Sequence, residues 1–347
     1  MARVLLLFGG RSSEHEVSCA SAVAIHDALI EAGHRVIPVG IDRDGDWRLG
    51  DPTFRPFKAD GRAVEMSVPA GSLRVADHDI DFDVVFPVLH GPQGEDGTVQ
   101  GLLETCGVPY VGCGVAGSAL AMDKDLAKRV VQASGIETTP WIRLFRPRWD
   151  ADPHGVVEQV ATSLRYPVFV KPSAQGSSVG VARAVSDQEL KDAIDAAFRY
   201  DSKVVIERGV IGREIEVAVL DGPRASVPGE VITEAEFYTY DAKYADDASR
   251  FEAPARIPPS AASEVSALAE RVFTELGLSG LARVDFFYDE LKRMFLFNEA
   301  NTLPGFTSIS GFPKMWVASG MTYSELCSHL VDAAFARHEE RGRLAIR

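Results

Sequence analysis

The chain opens on a continuous apolar run, Val4-Leu5-Leu6-Leu7-Phe8, that stops at Gly9-Gly10. A helical pattern over residues 18–32 follows, closed by Gly33, and then a second apolar run, Val36-Ile37-Pro38-Val39. Strand, glycine turn, helix and strand in that order predict a βαβ unit. Runs that are apolar at successive positions are what parallel strands covered on both faces require. Residues 83–89 supply another buried strand and 109–112 a short one, so 1–120 reads as a doubly wound, open-sheet α/β domain. GxGxxG is absent, so no dinucleotide is implied.

After about Ser118 the pattern changes. A helix over 123–133 closed by Gly135, an extended stretch at 138–145, a helix over 151–164 and a strand at 167–171 lead into a Gly/Ser loop at 173–180. A helix at 187–198 and a strand at 203–207 complete an α+β module. Glu214 to Leu220 then alternate strictly, giving one polar and one apolar face. Residues 237–250 have few aliphatics and many charges and aromatics, the mark of a functional loop or flap. A helix over 263–276, a hairpin of strands 281–288 and 293–300, and an amphipathic helix over 323–341 close the chain.

Composition restricts what this framework can do. Of 347 residues, 46% are hydrophobic and 25% charged, as in an ordinary globular protein. The net charge of −14 excludes a general nucleic-acid binder and disfavours an anionic membrane surface as partner. No stretch approaches membrane-spanning length, and the N-terminal run reads as a strand and not a signal peptide. Four cysteines without metal-ligand spacing suit reduced thiols in a cytoplasm. The acid is uneven: Lys and Arg against Asp and Glu number 9 and 17 in 1–120, 13 and 12 in 121–211, and 14 and 21 in 212–347. Only the middle segment, with its Gly/Ser loop, lacks an acidic surplus.

Several clusters carry candidate chemistry. On the hairpin, a period of two puts Arg283, Asp285 and Phe287 on one face of the first strand, and Phe297, Glu299 and Asn301 on one face of the second. Two carboxylates and an amide oxygen then converge, hard donors of the kind Mg²⁺ accepts beside phosphates. Alone they could be a solvated face, but Val284, Phe286, Phe295 and Phe297 mark a buried hairpin, where uncompensated acids are unfavourable. Lys171 leaves a buried strand into a loop of small residues, so backbone N–H groups and a cation could meet phosphates there; GxxxxGK[ST] is absent. Lys124 starts a helix, and Glu207-Arg208-Gly209-Val210 with Glu214 beyond could offer amide edges to an adenine and a carboxylate to a ribose; singly, each could be ordinary surface charge. Glu14, in the turn after the first strand, could hold an ammonium or simply favour a helix N-terminus. His90 follows another such strand, and Lys243 and Tyr244 lie in the flap.

Seven segments, in order, carry a family resemblance: GGRSSEHEVS from Gly9, HGPQGEDGTVQG from His90, MDK from Met122, VKPSAQGSSVG from Val170, DAKY from Asp241, ARVDFF from Ala282 and NEANTLPGFTSIS from Asn298. Across its length the chain resembles the D-alanine-D-alanine ligases of the ATP-grasp superfamily. The resemblance implies an N-terminal substrate-binding domain at 1–120, followed by a two-part ATP-grasp fold with a lid at 121–211 and a catalytic, metal-binding part at 212–347. It implies Asp285, Glu299 and Asn301 as ligands of two Mg²⁺ or Mn²⁺ ions. Lys124, Lys171, Ser178, Glu207, Val210, Glu214, Lys243 and Phe297 fall at ATP-binding positions. Glu14 and His90 match the subsite of the first D-alanine, Gly305 and Ser310 that of the second, and Lys243 also borders substrate. Arg283 matches a group that stabilises a tetrahedral oxyanion, and Ser177 and Tyr244 a pair that with Glu14 ties the flap down. The Lys243-Tyr244 pair, with no histidine between 237 and 250, favours dipeptide over D-alanyl-D-lactate. Gln175 and Arg208 depart from common family choices. A homodimer in the cytoplasm is the further implication. The competing readings are another carboxylate-amine ligase of the same superfamily and a non-catalytic nucleotide-binding module, which would have lost a metal ligand or Arg283.

Overall fold

The computed structural model describes residues 1–67, 72–76, 78–233 and 249–344. The first sheet has the order β3-β2-β1-β7, from β1 (Arg3–Gly9), β2 (Arg35–Ile41), β3 (Trp47–Leu49) and β7 (Val84–Pro87). β1 runs parallel to both β2 and β7, and β3 is an antiparallel edge. Between β3 and β7, β4 (Glu65–Ser67), β5 (Ser72–Val75) and β6 (His78–Ile80) form a small antiparallel sheet.

Alternate residues of the all-apolar β1 enter different cores, as the pleat requires. Val4, Leu6 and Phe8 pack with Ile25 and Leu29 of α1 (His15–Glu31). Leu5 and Leu7 pack with Leu103 of α2 (Thr98–Cys106). Helices thus cover both faces, and the doubly wound expectation holds.

The second sheet, order β10-β9-β11-β8, is built from β8 (Trp141–Phe145), β9 (Val168–Pro172), β10 (Ala182–Ala184) and β11 (Lys203–Arg208), all antiparallel. Its core is closed by α5 (Arg146–Ala151), α6 (Pro153–Ser163) and α7 (Asp187–Ala197), through Trp149, Val157 and Ile194 among others. The third sheet, order β15-β14-β12-β16-β17 with β13 also on β12, comprises β12 (Arg213–Leu220), β13 (Arg224–Ala225), β14 (Gly229–Thr233), β15 (Ser249–Glu252), β16 (Leu281–Asp289) and β17 (Met294–Asn301).

Two packings cross the boundaries read from the sequence. Ala127 and Val131 of α4 (Lys124–Ala133), with Ala121 of α3 (Val115–Met122), enter the core of the third sheet beside α8 (Pro259–Glu275). At the other end, α9 (Gly311–Ala318) and α10 (Tyr323–Gly342) bring Met315, Leu326, Leu330 and Val331 into the core under β1. The last helix, capped by a Thr322/Glu325 capping box, thereby joins the first domain to the third sheet.

Candidate active site

The turns after β1 and β7, the loop after β9, and the β16–β17 hairpin meet in one cleft. Glu14 is the residue before α1, 7% exposed, and its carboxylate accepts a hydrogen bond from the Ser177 hydroxyl of the β9–β10 loop. A Cβ at Gly91 or Gly176 would lie 2.7 or 2.8 Å from Glu14 Oε2, so both loops approach this carboxylate because they lack side chains. Ser177 and Ser178 hold φ of +46° and +58°, an uncommon conformation for two successive non-glycine residues and a local strain.

His90 is buried on the far side of Glu14. Its Nδ1 lies 2.9 Å from the Leu303 carbonyl, which cannot donate, so that nitrogen carries the proton and Nε2 accepts from Ser21 Oγ at 3.2 Å. Burial lowers the ring's pKa, against the opposing pull of Glu14. The Leu303 N–H donates to Glu95 Oε1 at 3.1 Å, while Gly91 N–H donates to Glu95 Oε2 at 2.9 Å. His90 and Glu95 thus grip one residue, Leu303, through its carbonyl and its N–H, and tie the first domain to the segment after β17. Burial, and then the charge of Glu14, push the Glu95 carboxyl up to about 8.

The polar face of the third sheet carries a row. Register places Glu216 of β12 opposite Asp285 of β16, and Asp285 opposite Glu299 of β17. The Arg283 guanidinium donates to both oxygens of Asp285, at 2.8 Å each, and lies 3.4 Å from Glu216. Burial alone would lower the Arg283 pKa; the charges of Asp285 and Glu216 raise it well above its usual value. Asn301 donates to Asp285 at 2.9 Å, and Lys124 Nζ lies 3.5 Å from Glu299 and donates to the Gln175 carbonyl at 2.6 Å. Lys171 sits 2.7 Å from Glu207 and 3.3 Å from the Asn298 side-chain oxygen. Among the described residues no group of three or more His, Cys, Asp and Glu side chains could hold a metal ion. The donor set is instead two facing carboxylates and an amide, countered by protein cations, which fits an ion that also takes oxygens from a nucleotide.

Each family model covers one part of the chain: "D-ala D-ala ligase N-terminus" matches residues 3–113, and "D-ala D-ala ligase C-terminus" matches residues 130–332. The chain belongs to the D-alanine-D-alanine ligase family. The D-alanine-D-alanine ligase of Heliobacterium modesticaldum is 45% identical, over 99% of this chain and 97% of its own. The D-alanine-D-alanine ligase A of Bradyrhizobium diazoefficiens is 46% identical with the same coverage. The solved D-alanine-D-alanine ligase of Coxiella burnetii superposes with a TM-score of 0.88 at 35% identity, over 98% of this chain and 96% of the other. The structure of the VanG D-Ala:D-Ser ligase of Enterococcus faecalis gives 0.84 at 34%, over 96% and 99%. An ATP-dependent ligase of the expected fold is thereby established.

Most of the expected residues share the cleft: Glu14, His90, Lys124, Lys171, Ser177, Glu207, Arg283, Asp285, Glu299 and Asn301. Glu214 of β12, opposite Phe287 of β16, acts electrostatically on Lys171, and Val210 lies in the loop between β11 and β12. Ser310 precedes α9 with its hydroxyl turned to Thr307, and a Cβ on Gly305 would come 3.0 Å from that oxygen. Lys243 and Tyr244 lie outside the described residues.

One placement is corrected. A strict period of two would put Phe297 on the face of Glu299 and Asn301, but a β-bulge shifts the register so that Phe286 pairs with Phe297 and Asp285 with Glu299. Asn298 is the extra residue, and Phe297 is fully buried in the opposite, apolar core with Val284 and Phe286. Phe297 therefore lies on the face of β17 turned away from Glu299.

Glu95, Glu216 and Lys128 were not singled out as site residues. Glu216 was legible, since it shares the alternating polar face with Glu214. The two departures from family choices have structural partners: Gln175 donates to the Tyr200 carbonyl at 3.2 Å, and Arg208 to the Leu164 and Ser163 carbonyls at 2.8 and 3.1 Å.

Proposed function

We propose that this enzyme joins two D-alanines into D-alanyl-D-alanine, coupled to cleavage of ATP to ADP and phosphate. The observation that carries the assignment of roles is the convergence of Glu14 and Ser177 with the Arg283-Asp285 pair and the Lys124 and Lys171 ammoniums. An acid to hold an ammonium and cations to hold phosphates face one another across a cleft drawn from all three sheets.

In this reading Glu14, oriented by Ser177, takes the ammonium of the first D-alanine. Its carboxylate attacks the γ-phosphorus and breaks the β–γ anhydride, giving an acyl phosphate and ADP. The neutral amine of the second D-alanine attacks the acyl carbon, and inorganic phosphate leaves. Arg283, preorganised on Asp285, is placed where the tetrahedral oxyanion develops. Neutral His90 and Glu95 hold the Leu303 peptide that leads into Gly305 and Ser310, the positions assigned to the second carboxylate. Lys124 and Lys171 offset the repulsion between an anionic phosphoryl group and a carboxylate. Asp285, Glu299 and Asn301 would hold divalent cations, which neutralise phosphate charge when bound.

The family resemblance supports a division at 120 and 211 with a lid at 121–211, of which α4 docks on the third sheet. The homodimer is proposed on the family resemblance, with light scattering as its test. A cytoplasmic location is in keeping with four buried cysteines that form no disulfide. Among the described residues, no helix is long and apolar enough to cross a membrane.

Phosphate release with D-alanine, D-serine, D-lactate and L-alanine tests the assignment. Turnover is expected with D-alanine and dipeptide as product. Preference for D-serine as second substrate would move the enzyme toward the reaction named for the Enterococcus faecalis neighbour. No ATP turnover with any of them would refute the ligase reading.

A further inference from the structure

Among the described residues, one lysine is wholly removed from solvent: Lys128, at 0% exposure, one turn beyond Lys124 on α4. Its Nζ donates to Thr139 Oγ1, lies 3.0 Å from Glu207 Oε1, and stands 5.8 Å from the centre of the Trp141 ring. The other oxygen of the same carboxylate is 2.7 Å from Lys171 Nζ. Two ammoniums therefore share one buried carboxylate, and none of the roles assigned above uses the inner one. Packing alone gives no reason for a charge here, because an apolar chain of similar length would fill the space without desolvating an ion.

The surroundings give a reason. Lys171 feels the negative charges of Glu207, Glu299 and Glu214 together. A lysine so surrounded by acid has little positive charge to offer an incoming polyanion. Lys128 draws on the Glu207 carboxylate from the protein side, where no ligand reaches it. We infer that Lys128 is a positioning residue for the nucleotide phosphates: by sharing Glu207 it keeps the positive charge of Lys171 available to a polyphosphate.

This inference rests on Lys171 being a nucleotide-binding residue, and the test separates the two. The full-length enzyme and its Lys128→Met variant are titrated calorimetrically with ADP and with adenosine. If Lys128 acts through charge, the Kd for ADP rises about tenfold, equivalent to about 1.4 kcal/mol, while that for adenosine stays within about twofold. If Lys128 merely supports the fold, both ligands weaken together, and that result overturns the inference, as does unchanged ADP binding. Should Lys128→Met not fold, Lys128→Gln keeps a polar head for Thr139 without the charge and is read the same way. Wild-type enzyme that binds neither ligand would instead remove the nucleotide role of Lys171, and the inference with it.

Discussion

Replacing Glu95 by Gln tests the electrostatics of the cleft through stability. The Glu95 carboxyl is buried beside Glu14, and these two influences outweigh the Gly91 and Leu303 N–H groups and Arg283, which favour its ionised form. Its pKa rises from 4.5 to about 8 on folding. Across that window the folded protein retains a proton that the unfolded chain has released, so this group makes the wild type less stable as pH rises. The slope is about 1.4 kcal/mol per pH unit, and the integral over the window is on the order of 4 kcal/mol. Glutamine carries no titratable proton, so this contribution vanishes in Glu95→Gln. The amide can accept only one of the two N–H groups well and turns its own N–H toward the other, which lowers stability by about 1–3 kcal/mol at all pH values. The variant is therefore expected to be less stable than wild type at the acid end of the window; the gap closes between about pH 5 and 7 and reverses by about pH 8, where the wild type is the less stable protein. Urea unfolding of both proteins at three pH values measures it, and titrations common to both cancel in the difference. A gap that stays constant or widens with pH would show that Glu95 is ionised in the folded protein, and the argument from burial would be wrong.

Ser177→Ala removes the donor to Glu14, and a hydrogen bond to a charged group contributes about 1.5–3 kcal/mol; the KM of the first D-alanine should rise about tenfold or more, with kcat less affected. An unchanged KM would detach Ser177 from that subsite. Arg283→Lys keeps the charge but loses the two-point contact with Asp285, and should lower kcat by about 10²–10³ in steady-state assays of folded protein; a change below about threefold would exclude Arg283 from oxyanion stabilisation. Tyr244→Phe should raise substrate-dependent ATP hydrolysis relative to dipeptide formed, and unchanged coupling would free the flap of that role. Leu330→Ala, in the C-terminal helix, should lower stability by about 2–5 kcal/mol in chemical denaturation, because Leu330 is 1% exposed in the core shared with β1. Loss of less than about 1 kcal/mol would mean that the helix is not part of that core.

The local elements were largely legible because their signals are local. Val4 to Phe8 reads as a two-sided strand without knowledge of its neighbours, and Glu214 to Val217 alternates because Glu214 and Glu216 lie on the polar side while Ile215 and Val217 enter a core; further along the same strand Ala218 and Leu220 are buried in a second core. The helices 98–106, 115–122 and 311–318 were not read, being short, rich in small residues and interrupted by glycine or proline. The motif residues were legible as types: an acid after a glycine turn, a lysine leaving a strand, carboxylates on a hairpin.

What the chain order could not reveal was decided by contacts between residues far apart in it. The bulge at Asn298 moves Phe297 to the opposite side of the sheet, and period-two reasoning has no term for an extra residue in one strand of a pair. Lys128 reads as one more charge on a helix, and only the meeting of that helix with Thr139 and Glu207 makes it a buried ion. Glu95 became a clamp because its carboxylate joins Gly91 to Leu303, 208 positions further along the chain from it. By itself the sequence determined which elements form and which chemistry they bear, since periodicity and residue type act over a few positions. The tertiary structure alone decided which charges lose their water and which partners they then find, because desolvation depends on everything packed around a group.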